Sequence, residues 1–211
     1  MIHCQAMYQG PIILASASPR REQILNIIQI SPHVAPSGIE EPQCYGDSAT
    51  NYVKMLARMK AEALTHRFDH GLIIGADTVV VIDGQIMGKP PSIEAARQML
   101  TTLSGRWHEV LTGVCLIRRD TNQQLSGCQT TRVKFARLQP DELDWYLSSE
   151  EPLDKAGAYA IQGLGSLLIE RIEGDYLNVV GLPLRLVYRL ALRLGIDLKT
   201  YSTRRPTGRP R

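Results

Sequence analysis

The chain has 211 residues, of which 44% are hydrophobic and 21% charged, and its net charge is +3. This composition is typical of a folded globular protein, and no apolar run is long enough for a transmembrane helix. The first ten residues lack the basic start and apolar core of a signal peptide, so we expect a cytoplasmic protein without a membrane partner. Residues 199–211 contain five basic residues and no acid. Since this Pro/Gly/Thr-rich end accounts for the whole basic excess, nucleic acid is an unlikely partner.

Strand and helix patterns alternate along most of the chain. The predicted strands cover 11–16, 72–76, 79–82, 85–87, 107–118, 124–137 and 166–173, and the predicted helices cover 19–29, 47–66, 92–103, 140–147 and 183–194. Helices that alternate with strands, with long hairpins inserted, indicate an α/β protein with a mixed sheet.

The first predicted strand leads directly into a helix that begins with two arginines. Ser18 suits the N-cap and Pro19 the first helical position. Arg20 and Arg21 then place two cations where the helix dipole is already positive, which is favourable only if something negative binds there. The segment therefore predicts an anion site, such as one for a phosphate. A solvated pair of arginines at an ordinary helix start is the alternative.

Three further segments carry chemistry-bearing residues between the predicted elements. Asp77 and Thr78 follow a buried strand, at the position where α/β folds place a ligand crevice, although a simple turn aspartate fits the spacing equally well. Lys60 lies within the second helix and Lys89 between a glycine and a proline, and either lysine alone could be merely solvated. Glu40 and Glu41, in a proline-rich loop, could hold a hard cation such as Mg²⁺. The glycine-punctuated stretch 154–163 presents Gln162, whose amide both donates and accepts hydrogen bonds.

Five motifs occur in an order that resembles one known family. They are LASASPRR at 14–21, GADT at 75–78, GKP at 88–90, DKAGAYAIQG at 154–163 and NVVGLPL at 178–184. Together they resemble the Maf family of nucleoside triphosphate pyrophosphatases from about Ile12 to Gly195. The resemblance implies an α/β fold like that of the inosine triphosphate pyrophosphatases, with a mixed, twisted sheet split over two lobes and a central cleft, and commonly a homodimer. We accordingly expect an N-terminal extension over 1–10, a Maf-like domain over 11–198 and a disordered basic tail over 199–211.

The resemblance also implies an activity and the residues that perform it. Family members cleave a nucleoside triphosphate between the α and β phosphates with a divalent metal, here Mg²⁺, Mn²⁺ or Co²⁺. Asp77 would then be the base that activates water, Glu40 would assist the metal, and the triphosphate would contact Ser16, Arg20, Arg21, Lys60 and Lys89.

Three positions point to one branch of the family. The branch resembling dTTP/UTP pyrophosphatases has threonine after the catalytic aspartate and glutamine in the glycine-rich stretch, as in Thr78 and Gln162 here, and Arg21 is the third position tied to specificity. The branch that acts on 7-methyl-GTP typically has glutamine and glutamate at those two positions. We therefore expect dTTP and UTP as substrates. A 7-methyl-GTP pyrophosphatase and a nucleotide-sensing regulatory protein linked to septum formation are the alternatives.

Overall fold

A computed structural model describes residues 8–42, 48–149 and 151–202. The strands are β1 (Ile12–Leu14), β2 (His33–Val34), β3 (Leu72–Ile82), β4 (Gln85–Met87), β5 (Trp107–Arg118), β6 (Gln123–Phe135) and β7 (Ile169–Glu173). The α-helices are α1 (Pro19–Ile27), α2 (Ala49–Glu62), α3 (Ile93–Leu103), α4 (Pro140–Leu147), α5 (Tyr176–Val180), α6 (Leu184–Arg193) and α7 (Lys199–Ser202). Three short 3₁₀ helices cover Glu151–Asp154, Ala156–Ala158 and Leu164–Leu168. Within these ranges, no helix is long and apolar enough to cross a membrane.

All strands belong to one seven-stranded sheet with the order β2-β1-β3-β5-β6-β7, and β4 also pairs with β3. The pairs β1–β2 and β1–β3 are parallel, whereas β3–β4, β3–β5, β5–β6 and β6–β7 are antiparallel. The prediction of an α/β fold with a mixed sheet is therefore confirmed.

One edge of β3 is left open in the middle of the strand. Its other edge pairs with β5 continuously from Leu72 to Val81, so β1 and β4 must share the remaining edge. The β1 pairing ends at Ile74, which also accepts a hydrogen bond from the Ala15 amide at 2.9 Å. The β4 pairing begins at Val80. Within the described part of the chain, no strand therefore covers this edge between Ile74 and Val80, and side chains from both faces of the sheet can reach the gap.

The hydrophobic core is divided at the same level of the sheet. On one face, the core cluster around Leu72 and Ile74 packs against α1 and α6, and a second cluster around Val80 and Ile82 packs against α3 and α4. On the other face, two clusters containing Ile73 and Val79 both pack against α2. The division between the clusters passes through Asp77 and Thr78 of β3 and their β5 partners Gly113 and Thr112. This arrangement agrees with the expected two lobes, which share the long central strands.

The structure differs from the predicted elements in several places. Residues 72–82 form one continuous strand, because pairing with β5 satisfies the backbone through the polar Asp77 and Thr78. The structure also contains the two-residue strand β2 and the helix α5, neither of which is among the predicted strands and helices. Residues 166–168 belong to a 3₁₀ helix that precedes β7.

The predicted ends of the domain also change. Asp47, the first residue of the predicted helix 47–66, lies outside the described residues, and the Ser48 side chain accepts the capping hydrogen bond from the Asn51 amide. Residues 199–202, expected in the disordered tail, form helix α7, and residues 203–211 lie outside the described part. Tyr8, from the expected N-terminal extension, is buried in the core, and its ring centroid lies 6.2 Å from that of Tyr201. Tyr8 and helix α7 therefore lie outside the expected domain bounds of 11–198 but belong to the described structure.

Candidate active site

A cavity of about 680 Å³ opens at the uncovered edge of β3, a size that suits a small organic ligand. Its walls come from the loop and first turn of α1, from α2, from the Gly88–Lys89 segment and from residues 154–162 and 179–181. Eight of the nine predicted site residues line it, namely Ser16, Arg20, Arg21, Lys60, Asp77, Thr78, Lys89 and Gln162. The open edge explains how Asp77 and Thr78, on opposite faces of one strand, can line the same cavity.

Asp77 is a buried carboxylate held between cations. It is 7% exposed, and its Oδ1 lies 2.5 Å from the Lys60 ammonium on α2. Burial raises the pKa of Asp77 above its ordinary value, and the charges of Lys60 and Arg21 act in the opposite direction. A carboxyl group whose basicity is increased by burial and whose ionised form is supported by cations suits a general base.

Lys60 also contacts a second carboxylate. Its Nζ lies 2.6 Å from Glu41 Oε1, and the Lys60 side chain is only 12% exposed. Both Glu40 and Glu41 are exposed, but only Glu41 lines the cavity. Of these two adjacent glutamates, Glu41 is therefore the one placed beside Lys60, and the expected metal role of Glu40 stays a prediction.

Arg21 is fixed by three hydrogen bonds to neutral acceptors. Its Nε donates to the Gly181 carbonyl at 2.9 Å, Nη1 to Ser16 Oγ at 3.0 Å and Nη2 to Thr78 Oγ1 at 3.2 Å. Burial lowers the pKa of Arg21, whereas the more distant charge of Asp77 raises it, and guanidinium groups stay charged in proteins. Among the described residues, no carboxylate forms a salt bridge with Arg21. Its charge is therefore available to an anionic ligand.

The N-terminus of α1 lies in the same wall. Ser18 occupies the N-cap position as predicted, but its side chain makes no capping hydrogen bond, and Pro19 begins the helix. The Ser16 hydroxyl accepts hydrogen bonds from the Ser18 amide at 3.2 Å and from Arg21. The helix dipole and the charges of Arg20 and Arg21 therefore face the cavity together, which favours an anion.

The opposite wall contains two predicted residues and one that the sequence analysis missed. Lys89 and Gln162 are both exposed at the cavity mouth. The Gly157 amide donates to the Gly88 carbonyl at 3.0 Å, which ties the segment of Gln162 to that of Lys89. Lys155 also lines the cavity, with its side chain 13% exposed and paired with Asp154. The position of Lys155 within the motif 154–163 was the sequence signal that could have identified it.

This fold and cavity define a class of α/β protein that binds an anionic ligand at the open edge of a mixed sheet, beside a buried carboxylate. The family model described as "Maf-like protein" matches residues 11–194. The chain therefore belongs to the Maf family, and the resemblance inferred from the motifs is confirmed.

Curated relatives match nearly the whole domain. A dTTP/UTP pyrophosphatase of Syntrophomonas wolfei is 45% identical over 185 residues, which are 88% of this chain and 98% of the relative. A dTTP/UTP pyrophosphatase of Pyrococcus furiosus is 46% identical over 189 residues, which are 89% of this chain and 97% of that one. Among solved structures, the Staphylococcus aureus Ham1 protein aligns with a TM-score of 0.43 and 17% identity, and covers 60% of this chain and 72% of that one.

Proposed function

We propose that the protein hydrolyses dTTP and UTP to the nucleoside monophosphate and pyrophosphate. The observation that carries the proposal is the buried Asp77 carboxylate, hydrogen-bonded to Lys60 in a cavity lined by several cations. The relatives named dTTP/UTP pyrophosphatase, about 45% identical over most of the chain, support it.

In the proposed reaction, Asp77 accepts a proton from the water that attacks the α-phosphorus. The α–β phosphoanhydride bond breaks, and pyrophosphate leaves with the bonding electrons. Negative charge accumulates on this leaving group, so fixed cations that face it lower the barrier. Arg20, Lys60 and Lys89 are the cations that we assign to the phosphates, and Ser16 and Arg21 complete the wall beside them. Because Asp77 is buried on a strand that pairs with β5 from Leu72 to Val81, its carboxylate is held in a fixed position.

We infer that a divalent cation, Mg²⁺, Mn²⁺ or Co²⁺, assists this reaction. Asp77 and Glu41 both contact Lys60, so two carboxylates lie within reach of one small ion. No cluster of three or more metal-ligating side chains occurs among the described residues. Mg²⁺ is commonly held by one or two carboxylates, with phosphate oxygens and waters as its other ligands, so this donor set fits it. When bound, the ion would neutralise charge on the phosphates.

We assign nucleotide selection to Arg21, Thr78 and Gln162. Arg21 and Thr78 are hydrogen-bonded to each other at 3.2 Å in one wall, and Gln162 lies in the opposite one. The Gln162 amide can donate to and accept from the edge of a uracil or thymine base. The homodimer and the cytoplasmic location remain predictions, and light scattering tests the first of them.

The test is a panel of nucleoside triphosphates, each supplied with Mg²⁺, Mn²⁺ or Co²⁺, with the products identified. UTP and dTTP should yield pyrophosphate faster than GTP, CTP or 7-methyl-GTP. Asp77→Asn should lower turnover about 10²- to 10⁴-fold while nucleotide still binds. Asp144→Asn is the matched control, since Asp144 is exposed and paired with Arg97 outside the cavity. Release of orthophosphate would contradict the reaction, a preference for 7-methyl-GTP would contradict the substrate, and tight UTP binding without turnover would favour a nucleotide sensor.

A further inference from the structure

Thr112 is a fully buried hydroxyl directly behind the cavity wall. It lies on β5 in register with Thr78 of β3. Its side chain is 0% exposed and does not line the cavity. The two hydroxyl oxygens are 2.9 Å apart, which is the distance of a hydrogen bond. Thr112 is therefore in direct hydrogen-bond contact with the cavity lining through Thr78.

The direction of this hydrogen bond follows from the other partner of Thr112. Its Oγ1 donates to the main-chain carbonyl of Asn178 at 3.0 Å. A hydroxyl carries a single proton, so Thr112 can only accept from Thr78. Thr78 is the donor in the pair, and its own oxygen accepts from Arg21 Nη2. The Thr78 hydroxyl therefore has no proton left for a ligand and presents only a lone pair to the cavity.

The carbonyl that sets this direction is itself held firmly. Asn178 is 0% exposed, and its Nδ2 donates to the Val110 carbonyl at 2.9 Å and to Thr131 Oγ1 at 3.0 Å. Asp175 caps the helix α5 that carries Asn178. If Thr112 lost its hydroxyl, the nearest remaining acceptor for Thr78 would be the Gly181 carbonyl, at 3.5 Å, which is at the limit of hydrogen bonding.

We propose that Thr112 is a positioning residue for nucleotide selection, which fixes the Thr78 hydroxyl as a hydrogen-bond acceptor toward the bound base. This inference rests on the proposed function. An acceptor selects a ligand that offers a donor. At N3, uracil and thymine carry an N–H group, whereas cytosine carries a lone pair that a fixed acceptor repels. A buried site with a fixed acceptor rejects a base that presents another acceptor, because the polar group of the site is then left without a hydrogen-bond partner.

The experiment compares kcat/KM for UTP and CTP in Thr112→Val, which keeps the shape and removes the hydroxyl. The UTP-to-CTP ratio should fall about tenfold. Thr112→Ser, which restores the hydroxyl, should keep the ratio of the unaltered protein. Thr130→Val on the neighbouring strand β6 is the matched control, since Thr130 is exposed. Thr112→Ala gives the same readout if the valine variant folds poorly.

A double-mutant cycle tests whether Thr112 acts through Thr78. In a Thr78→Val background, Thr112→Val should no longer change the ratio, because the hydroxyl it orients is absent. An unchanged ratio in Thr112→Val or Thr112→Ala, with only a lower Tm, would overturn the inference and leave a purely structural role. A similar change in both backgrounds would overturn it as well. If the unaltered protein releases no pyrophosphate from UTP, the proposed function itself fails. This failure is distinguishable from a failure of the inference about Thr112, because it is measured on the unaltered protein.

Discussion

Gly75→Ala should weaken both the fold and the site, because β3 and α2 are in backbone contact at this glycine. A Cβ atom on Gly75 would lie 2.1 Å from the Ala57 carbonyl oxygen and 2.9 Å from the Ala61 amide. Both neighbours are backbone atoms of one helix, so neither can rotate away. The helix as a whole must move, and α2 carries the Lys60 that contacts Asp77.

The size of the effect follows from the required displacement. An ordinary van der Waals contact begins at 3.4 Å, so α2 must retreat by about 1 Å. Overpacking of this kind costs about 1–3 kcal/mol, which for a chain of this length lowers Tm by roughly 2–12 °C. Lys60 lies within one turn of Ala57. A misplacement of about 1 Å can reduce the rate about 10²-fold even when the substitution is outside the chemistry.

The assay measures Tm by thermal unfolding and kcat/KM for pyrophosphate release from UTP. Gly127→Ala on β6 is the matched control, since its Cβ would meet only the end of the Leu186 side chain, at 3.0 Å. The end of the Leu186 side chain needs to shift by only a few tenths of an ångström, so the control should lose little stability and no activity. Equal Tm and equal kcat/KM in the two variants would refute the claim that contact between Gly75 and α2 positions Lys60.

Three further predictions concern the titratable groups and the loop of Gln162. Because burial raises the pKa of Asp77, the protonated carboxyl stabilises the fold at low pH, and this stabilisation is lost as the pH rises through the pKa of the folded state. Asp77→Asn should therefore keep or raise Tm at neutral pH, and a clear fall in Tm would contradict this. Burial lowers the pKa of His108 to about 4, so the neutral ring contributes stability that is complete above pH 6.5 and is lost as pH falls toward 4. Urea unfolding at about pH 7.5 and 4.5 should show a loss of up to about 3 kcal/mol, which His108→Phe should reduce. The Tyr146 hydroxyl accepts from the Ala160 amide at 3.2 Å and donates to Glu151, whose carboxylate also accepts from the Leu164 and Gly165 amides. Tyr146→Phe should therefore raise KM for UTP about fivefold and accelerate hydrogen exchange at Leu164 and Gly165, and unchanged exchange would contradict this role.

The strands and helices were predictable wherever their local signals were strong. The end of β3 with β4, the long β5–β6 pair and helix α6 match the predicted strands 79–82, 85–87, 107–118 and 124–137 and the predicted helix 183–194, because turn chemistry and periodicity act locally. The continuity of β3 could not be predicted in this way. It depends on the pairing of Asp77 and Thr78 with β5, and that partner lies more than thirty residues away in the sequence.

The candidate site was predictable to the extent that motifs identify residues, but motifs do not determine contacts. The motifs contain Arg21 and Thr78 in separate segments and do not indicate the hydrogen bond that joins them. Thr112 was not predicted, since a threonine inside an apolar strand carries no signal of function. The contact of Glu41, rather than Glu40, with Lys60 was not predicted either, because nothing local distinguishes two adjacent carboxylates in a loop. The contact of Glu41 with Lys60 is a tertiary property.

The interruption along the edge of β3 accounts for the chemistry gathered at this site. A strand paired on both edges presents its alternate side chains to two separate faces, and a ligand on one face cannot contact residues on the other. Here β1 ends at Leu14 and β4 begins its pairing only at Val80, so a ligand at the open edge can reach both faces. Asp77 then reaches the gap from the face of α2, and Thr78 with Arg21 reaches it from the face of α1. In the proposed reaction, the general base Asp77 and the selecting pair Arg21 and Thr78 therefore belong to different layers of the fold, so either could change while the other keeps its packing.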